Sequence, residues 1–153
     1  MSESAAPTVE SPILQRLLAD WQVRRRGRLL PSRGDFDPLD LKYVLGKLLL
    51  VDVLGPDVAG RPLQFRYRLV GTELAARVGV DLTGRTLDDY PSPEYREFMR
   101  RRYTQTVEER RPLSSVQTRL VVDNQVRRYE ALLLPLAADG ETVDMLMIGI
   151  VYL

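Results

Sequence analysis

The stretch "FRYRLVGTELAARVGVDLTGRTL" (residues 65–87) decides the fold. It opens with a strict alternation, Phe65, Tyr67 and Leu69 on one side and Arg66 and Arg68 on the other, which is the period of a half-buried strand. Gly71-Thr72 breaks that period. A short helical face follows through Leu74, Ala75 and Val78, with Thr72 as its expected cap, and Gly79 ends it. The chain then passes Asp81, Thr83 and Gly84 within a few residues. Glycines so placed let the backbone turn through positive φ or approach a neighbour closely. A sheet here hands over to short, glycine-punctuated helices.

Upstream, "LLLVDVL" (residues 48–54) is apolar at nearly every position, as expected of a strand covered on both faces. The turn cluster "GPDVAGRP" (55–62) joins it to the alternating strand, so the two form a hairpin. Before them, Asp37 and Pro38 mark the start of a short helix, with Asp40 at the spacing of a capping box and Gly46 as its stop. Earlier still, Ser11-Pro12 is a helix start of the same kind. Ile13, Leu14, Leu17, Leu18 and Trp21 then recur at helical spacing and form one apolar stripe. Arginines and Gly27 close that helix. Residues 1–10 are polar and read as a disordered tail, leaving 11–153 as a single domain.

Downstream, Ser92-Pro93 repeats the helix start, and Tyr95, Phe98, Met99, Tyr103 and Val107 trace a longer helical face until Pro112 prevents its continuation. Three strands complete the chain. "SSVQTRLVV" alternates Val116, Thr118 and Leu120 against Gln117 and Arg119. Asp123-Asn124 is a turn before "VRRYEALLLPL", and Asp139-Gly140 is a turn before "TVDMLMIGIVYL". The predicted order is helix, short helix, two strands, short helices, longer helix, three strands. Hairpin connections make the sheet antiparallel and the class α+β.

Composition narrows the chemistry. The 153 residues contain no cysteine and no histidine. Disulfides, thiolate nucleophiles, Ser-His-Asp triads and histidine-ligated metals are thereby excluded. Of the 22 basic residues two are lysine, Lys42 and Lys47, and 20 are arginine, yet the formal net charge is only +1. A dedicated nucleic-acid binder would show a stronger basic excess. No apolar run reaches the roughly 20 residues needed to span a bilayer, and the N-terminus lacks the basic start and apolar centre of a signal peptide. A cytoplasmic location is the default expectation.

The order of elements resembles the PAS fold, a five-stranded antiparallel sheet cupping a pocket closed by short helices. Three separated segments sharpen the likeness to small stand-alone bacterial PAS proteins. The first is the tryptophan-bearing helix with Trp21. The second carries Pro31, Arg33, Asp35, Asp37 and Pro38. The third carries Arg68, Gly71, Thr72, Gly79, Asp81, Thr83 and Gly84. The likeness is close over residues 13–87 and rests on pattern thereafter. It implies a sensory or regulatory role through small-molecule or protein binding, without catalysis. Haem or a cysteinyl-flavin adduct would need the histidine or cysteine this chain lacks, so no cofactor is expected. Met99, Met145 and Met147 are read as core fillers rather than iron ligands.

Phe65, Tyr67, Phe98, Met99, Val116, Thr118, Tyr129 and Leu133 are expected to line the concave face. They form either a ligand pocket with polar handles at Tyr67, Thr118 and Tyr129, or an ordinary filled core. No metal site is expected: Asp35, Asp37 and Asp40 are read as capping groups rather than ligands. Two other functions compete. Asp52 with Tyr67 would be the base and hydroxyl of a small isomerase-like enzyme in a cone-shaped α+β cavity. The arginine clusters (Arg24, Arg25, Arg26 and Arg28; Arg100, Arg101, Arg102, Arg110 and Arg111) would serve a nucleic-acid-binding adaptor, although both are read first as solvated helix surfaces. Arg24 and Arg28 have the RxxxR spacing of a cyclic-dinucleotide motif whose second half is missing. Because the first and last strands are apolar on both faces, the amphipathic helix is expected to cover the sheet's outer face, its own or a partner's. A homodimer and a signalling-protein partner are expected, with no membrane.

Overall fold

The computed structural model, which describes residues 7–56, 62–79, 81–120 and 126–153, pairs β1 (Leu48–Leu54) antiparallel with β2 (Gln64–Val70). The last strand, β5 (Met145–Tyr152), inserts between β1 and β4 (Val126–Leu136), and β3 (Leu113–Leu120) forms the far edge. The order β2-β1-β5-β4-β3 is fully antiparallel, as the hairpin connections predict. Burial on both faces explains why β1 and β5 read as continuous apolar runs. The turn at Asp123-Asn124, residues 57–61 of the first hairpin turn and residues 1–6 of the expected tail lie outside the described residues.

Registers separate the two faces. Val51 pairs with Tyr67, Val53 with Phe65, Leu133 with Ile148 and Ala131 with Ile150, and all of these side chains share the inner face. Helix α2 (Thr72–Val78) and the longer α3 (Pro93–Glu109) stand on that side. The Ser92 hydroxyl accepts the Tyr95 amide at 3.3 Å, so the cap-plus-proline signal is realised. Helix α2 is capped by Gly71 rather than Thr72, which is its first helical residue, and Gly79 ends it at φ 87°.

The outer face belongs to α1 (Pro12–Arg24). Leu14, Leu17, Leu18 and Trp21 are buried against Leu48, Leu132, Leu134 and Met147 in one continuous core. A Cβ built on Gly149 would meet Leu14 Cδ2 at 2.7 Å and Leu17 Cδ2 at 2.9 Å, so the helix crosses the sheet over the residue without a side chain. Each large side chain so buried contributes at most about 1.5–3 kcal/mol. The cover is therefore intramolecular. This face needs no second copy of the chain, and that reason for expecting a homodimer falls away.

Helix α1 starts differently from expectation. The Ser11 hydroxyl makes no cap bond. Instead the buried Glu130 carboxylate, on the outer face of β4, accepts the Glu10 amide at 2.8 Å and the Ser11 amide at 2.9 Å. A negative group at this end also complements the helix dipole. Val9 is buried, and the Thr8 carbonyl accepts the Ser114 hydroxyl, so the segment composition assigns to the tail is held against the sheet from residue 8.

The segment between α1 and β1 folds as three short 3-10 turns, Arg33–Asp35, Pro38–Leu41 and Leu45–Lys47. Asp37 caps through the Leu39 amide at 2.9 Å. Asp40 does not close a capping box; it pairs with Arg24. The capping box here belongs to Ser32 and Asp35.

Candidate functional site

The concave face is built from aromatic side chains. Phe65 meets Tyr103 edge-on at 5.3 Å, and Tyr95 contacts Tyr90, Phe98 and Tyr129 at 5.6 to 6.3 Å between centroids. Such contacts add to their area burial. Burial, reinforced by its hydrogen bond with Tyr67, pushes the Tyr103 phenol well above its ordinary value.

Between α3 and the sheet lies a cavity of about 30 Å³. Four of the residues expected there line it: Phe98, Met99, Tyr129 and Leu133. Phe65 and Tyr67 share the face but are packed away beside Tyr103. Val116 and Thr118 are misassigned. Register pairs Val116 with Glu130 and Thr118 with Arg128, on the outer face, and both are exposed. Ser115 takes the inward place opposite Ala131. The lining residues the sequence reading missed are Ser115, Ala131, Ile148, Ile150, Tyr103 and Arg102. The cue was present in β4 and β5, whose firm inner sets propagate through the register to β3.

The glycine-punctuated stretch now has a structural explanation. Asp81 accepts the Thr83 amide and hydroxyl at 2.9 and 2.6 Å, forming a tight turn that also holds its carboxyl below the ordinary range. Gly84, at φ 84°, donates to the Tyr67 carbonyl at 2.7 Å, and the Arg85 carbonyl accepts the Tyr67 amide at 2.8 Å. This segment therefore closes the free edge of β2. Gly71 is required for another reason: its φ is −59°, but a Cβ there would lie 2.3 Å from the Gly46 carbonyl oxygen.

The Pro31–Pro38 motif residues serve α1. Pro31 accepts the Ala137 amide at 2.8 Å, and Arg33 bonds the Phe36 carbonyl at 3.0 Å. Asp35 pairs with Arg28 and accepts the Ser32 amide and hydroxyl. The Ser32 amide, with Arg28 and the Ser32 hydroxyl adding to it against the opposing effect of burial, lowers the Asp35 carboxyl to about 2. Trp21 donates its indole N–H to the Pro135 carbonyl at 2.9 Å. Together these bonds fasten the helix, the motif and the end of β4.

Two competing readings lose their geometry. Asp52 lies on the outer face, held by Arg68 at 2.9 Å and Arg66 at 3.3 Å, whereas Tyr67 points inward. They do not share a cavity. The arginines are also less free than expected. Arg100 binds the Leu63 carbonyl and Asp88, Arg102 binds the Ser114 carbonyl, and Arg24 and Arg28 are committed to the motif segment. Arg26, Arg101 and Arg110 remain exposed. Among the described residues, no group of three carboxylates converges to hold a metal, and no helix is long and apolar enough to cross a membrane.

A family model described as PAS domain matches residues 9–151. The chain belongs to the PAS domain family. No curated protein matches it. Among solved structures it resembles VqmA bound to DPO, at 11% identity and TM-score 0.58, covering 76% of this chain and 56% of that one. The PAS chain thus spans little more than half of VqmA. It also resembles a sensory box sensor histidine kinase from Vibrio cholerae (14% identity, TM-score 0.51, 76% and 90% covered). A light-oxygen-voltage domain studied with a flavin analogue is similar at 12% identity and TM-score 0.50, with 75% and 82% covered. At these identities the likeness is one of fold. Among the described residues the inner cavity measures about 30 Å³, and the sequence offers no cysteine for a flavin adduct.

Proposed function

We propose that this PAS domain is a non-catalytic sensory or regulatory module of bacterial signal transduction, acting in the cytoplasm by docking to another protein. The observation that carries this reading is the inner cavity. About 30 Å³ holds a water molecule, not an organic ligand, whose pockets run to several hundred Å³. Among the described residues the concave face is largely filled by side chains, which supports placing the module's specificity on its surface. Native mass spectrometry of freshly purified protein tests this. The bare polypeptide mass is expected, and a retained organic molecule would overturn it.

A second reading keeps small-molecule sensing. Phe98 and Met99 form the helical wall of the cavity and are only partly buried. Methionine adapts its shape readily, so outward movement of α3 would enlarge the space. A thermal-shift screen of small aromatic and heterocyclic compounds separates the two. Saturable stabilisation by one compound, lost in Ala131→Phe, would favour it. Self-association is part of the proposal through family membership, since the outer sheet face is already covered. Catalysis and nucleic-acid binding have less support, because Asp52 and Tyr67 face apart and most clustered arginines are engaged.

A further inference from the structure

A groove of about 380 Å³ opens on the flank of α1, beside its sheet-facing stripe, between that helix and residues 38–43. Arg16, Asp20 and Arg24 project into it at spacings of four, and therefore lie along one helix face. Val23 falls on the same face by helical period and is 74% exposed. Leu39, on the facing wall, is 68% exposed. These are the two most exposed large apolar side chains among the described residues. Leu39 lines the concavity and Val23 lies beside it on the helix, so exposed apolar surface adjoins the charged groove.

The charges are arranged to match. Tyr43 donates to Asp20 at 2.6 Å, and Arg24 approaches Asp40 at 3.1 Å, so both carboxylates of the groove are engaged. Arg16 lies over the Tyr43 ring at 3.8 Å. Neither Arg16 nor Lys42 has a carboxylate within 4.0 Å among the described residues. Each wall thus presents one cation without a carboxylate partner among the described residues, and Leu39 adds an exposed aliphatic side chain to the groove.

We propose that this groove docks an acidic segment of a partner protein, with its carboxylates on Arg16 and Lys42 and an apolar side chain between Val23 and Leu39. The groove is open, whereas small-molecule sites enclose most of their ligand. This inference rests on the reading of the chain as a protein-docking module.

The probe is a synthetic nonapeptide alternating glutamate and leucine, titrated into isotope-labelled full-length protein and followed by backbone amide shifts. Shifts confined to residues 16–24 and 38–43 are expected, with binding weakened about tenfold or more in Arg16→Glu/Lys42→Glu and left unchanged in Arg101→Glu. Leu39→Ser should weaken it without altering the melting temperature. No shifts, equal shifts from glutarate alone, or preference for a single-stranded oligonucleotide would overturn the proposal. Shifts centred elsewhere would overturn the groove and leave the docking-module reading standing.

Discussion

The Glu130 carboxylate accepts the Ser11 amide at 2.9 Å across 119 residues of chain, tying the start of α1 to the outer face of β4. Burial alone would raise its pKa. The Glu10 amide, the Ser11 hydroxyl and the Ser11 amide outweigh burial and hold it below the ordinary glutamate range. A depressed folded-state value stabilises the fold above the unfolded pKa of about 4.3, and that stabilisation is lost as pH falls through the folded value. Glu130→Gln should cost about 1–3 kcal/mol at pH 7. Its deficit relative to wild type should shrink below about pH 4, where wild type loses its own carboxylate. Urea unfolding at both pH values measures this, and a deficit constant with pH would show that the charge contributes nothing.

Gly71 and Gly84 should respond to different substitutions. At Gly71 the conflict is steric, with backbone atoms 2.3 and 2.8 Å from a Cβ, so Gly71→Ala and Gly71→Asn should both be severely destabilising. At Gly84 nothing lies within 4 Å, and only the φ of 84° is demanding. Gly84→Asn should be tolerated, whereas Gly84→Val should cost about 1–2 kcal/mol or more. Equal melting temperatures for the two asparagine variants would contradict this assignment.

Removal of residues 1–27 should uncover Leu132, Leu134, Leu48 and Met147, all buried in the intact chain. Aggregation or a new oligomeric state is expected by sedimentation. A truncated chain of unchanged solubility, oligomeric state and melting temperature would show that α1 is not the sheet's cover.

The phase of β3 is tested by a pair of substitutions. Val116→Ser on the exposed outer face should change stability by no more than about 0.5 kcal/mol. Leu133→Ala, inside the core, should cost about 2–5 kcal/mol. Similar losses at the two positions would mean that Val116 faces inward after all.

The chain order of the elements, the hairpins and the stripe of α1 were legible because each follows from local periodicity and breaker residues. The phase of β3 was not. Ser114, Ser115, Val116 and Gln117 mix polarity on an edge strand, and the exposed Val116 mimics an inward residue. The cap of α1 was also hidden, since its acceptor is Glu130 and no local pattern points across the chain. Gly71 was correctly singled out for the wrong geometric reason: a close approach depends on where Gly46 lies, which periodicity does not encode. The groove beside α1 arises where two segments meet, and its cations look like ordinary solvated side chains when read singly.

Trp21 is the single tryptophan of the chain, buried under α1 with its indole nitrogen bonded to the Pro135 carbonyl. The helix therefore carries its own optical reporter. While it is seated, emission should be blue-shifted and shielded from iodide. When the helix lifts, the band should move to the red and become quenchable without any label being introduced. Stopped-flow fluorescence of the unmodified protein would time that departure directly and distinguish a helix that detaches first from one that leaves only as the whole sheet unfolds.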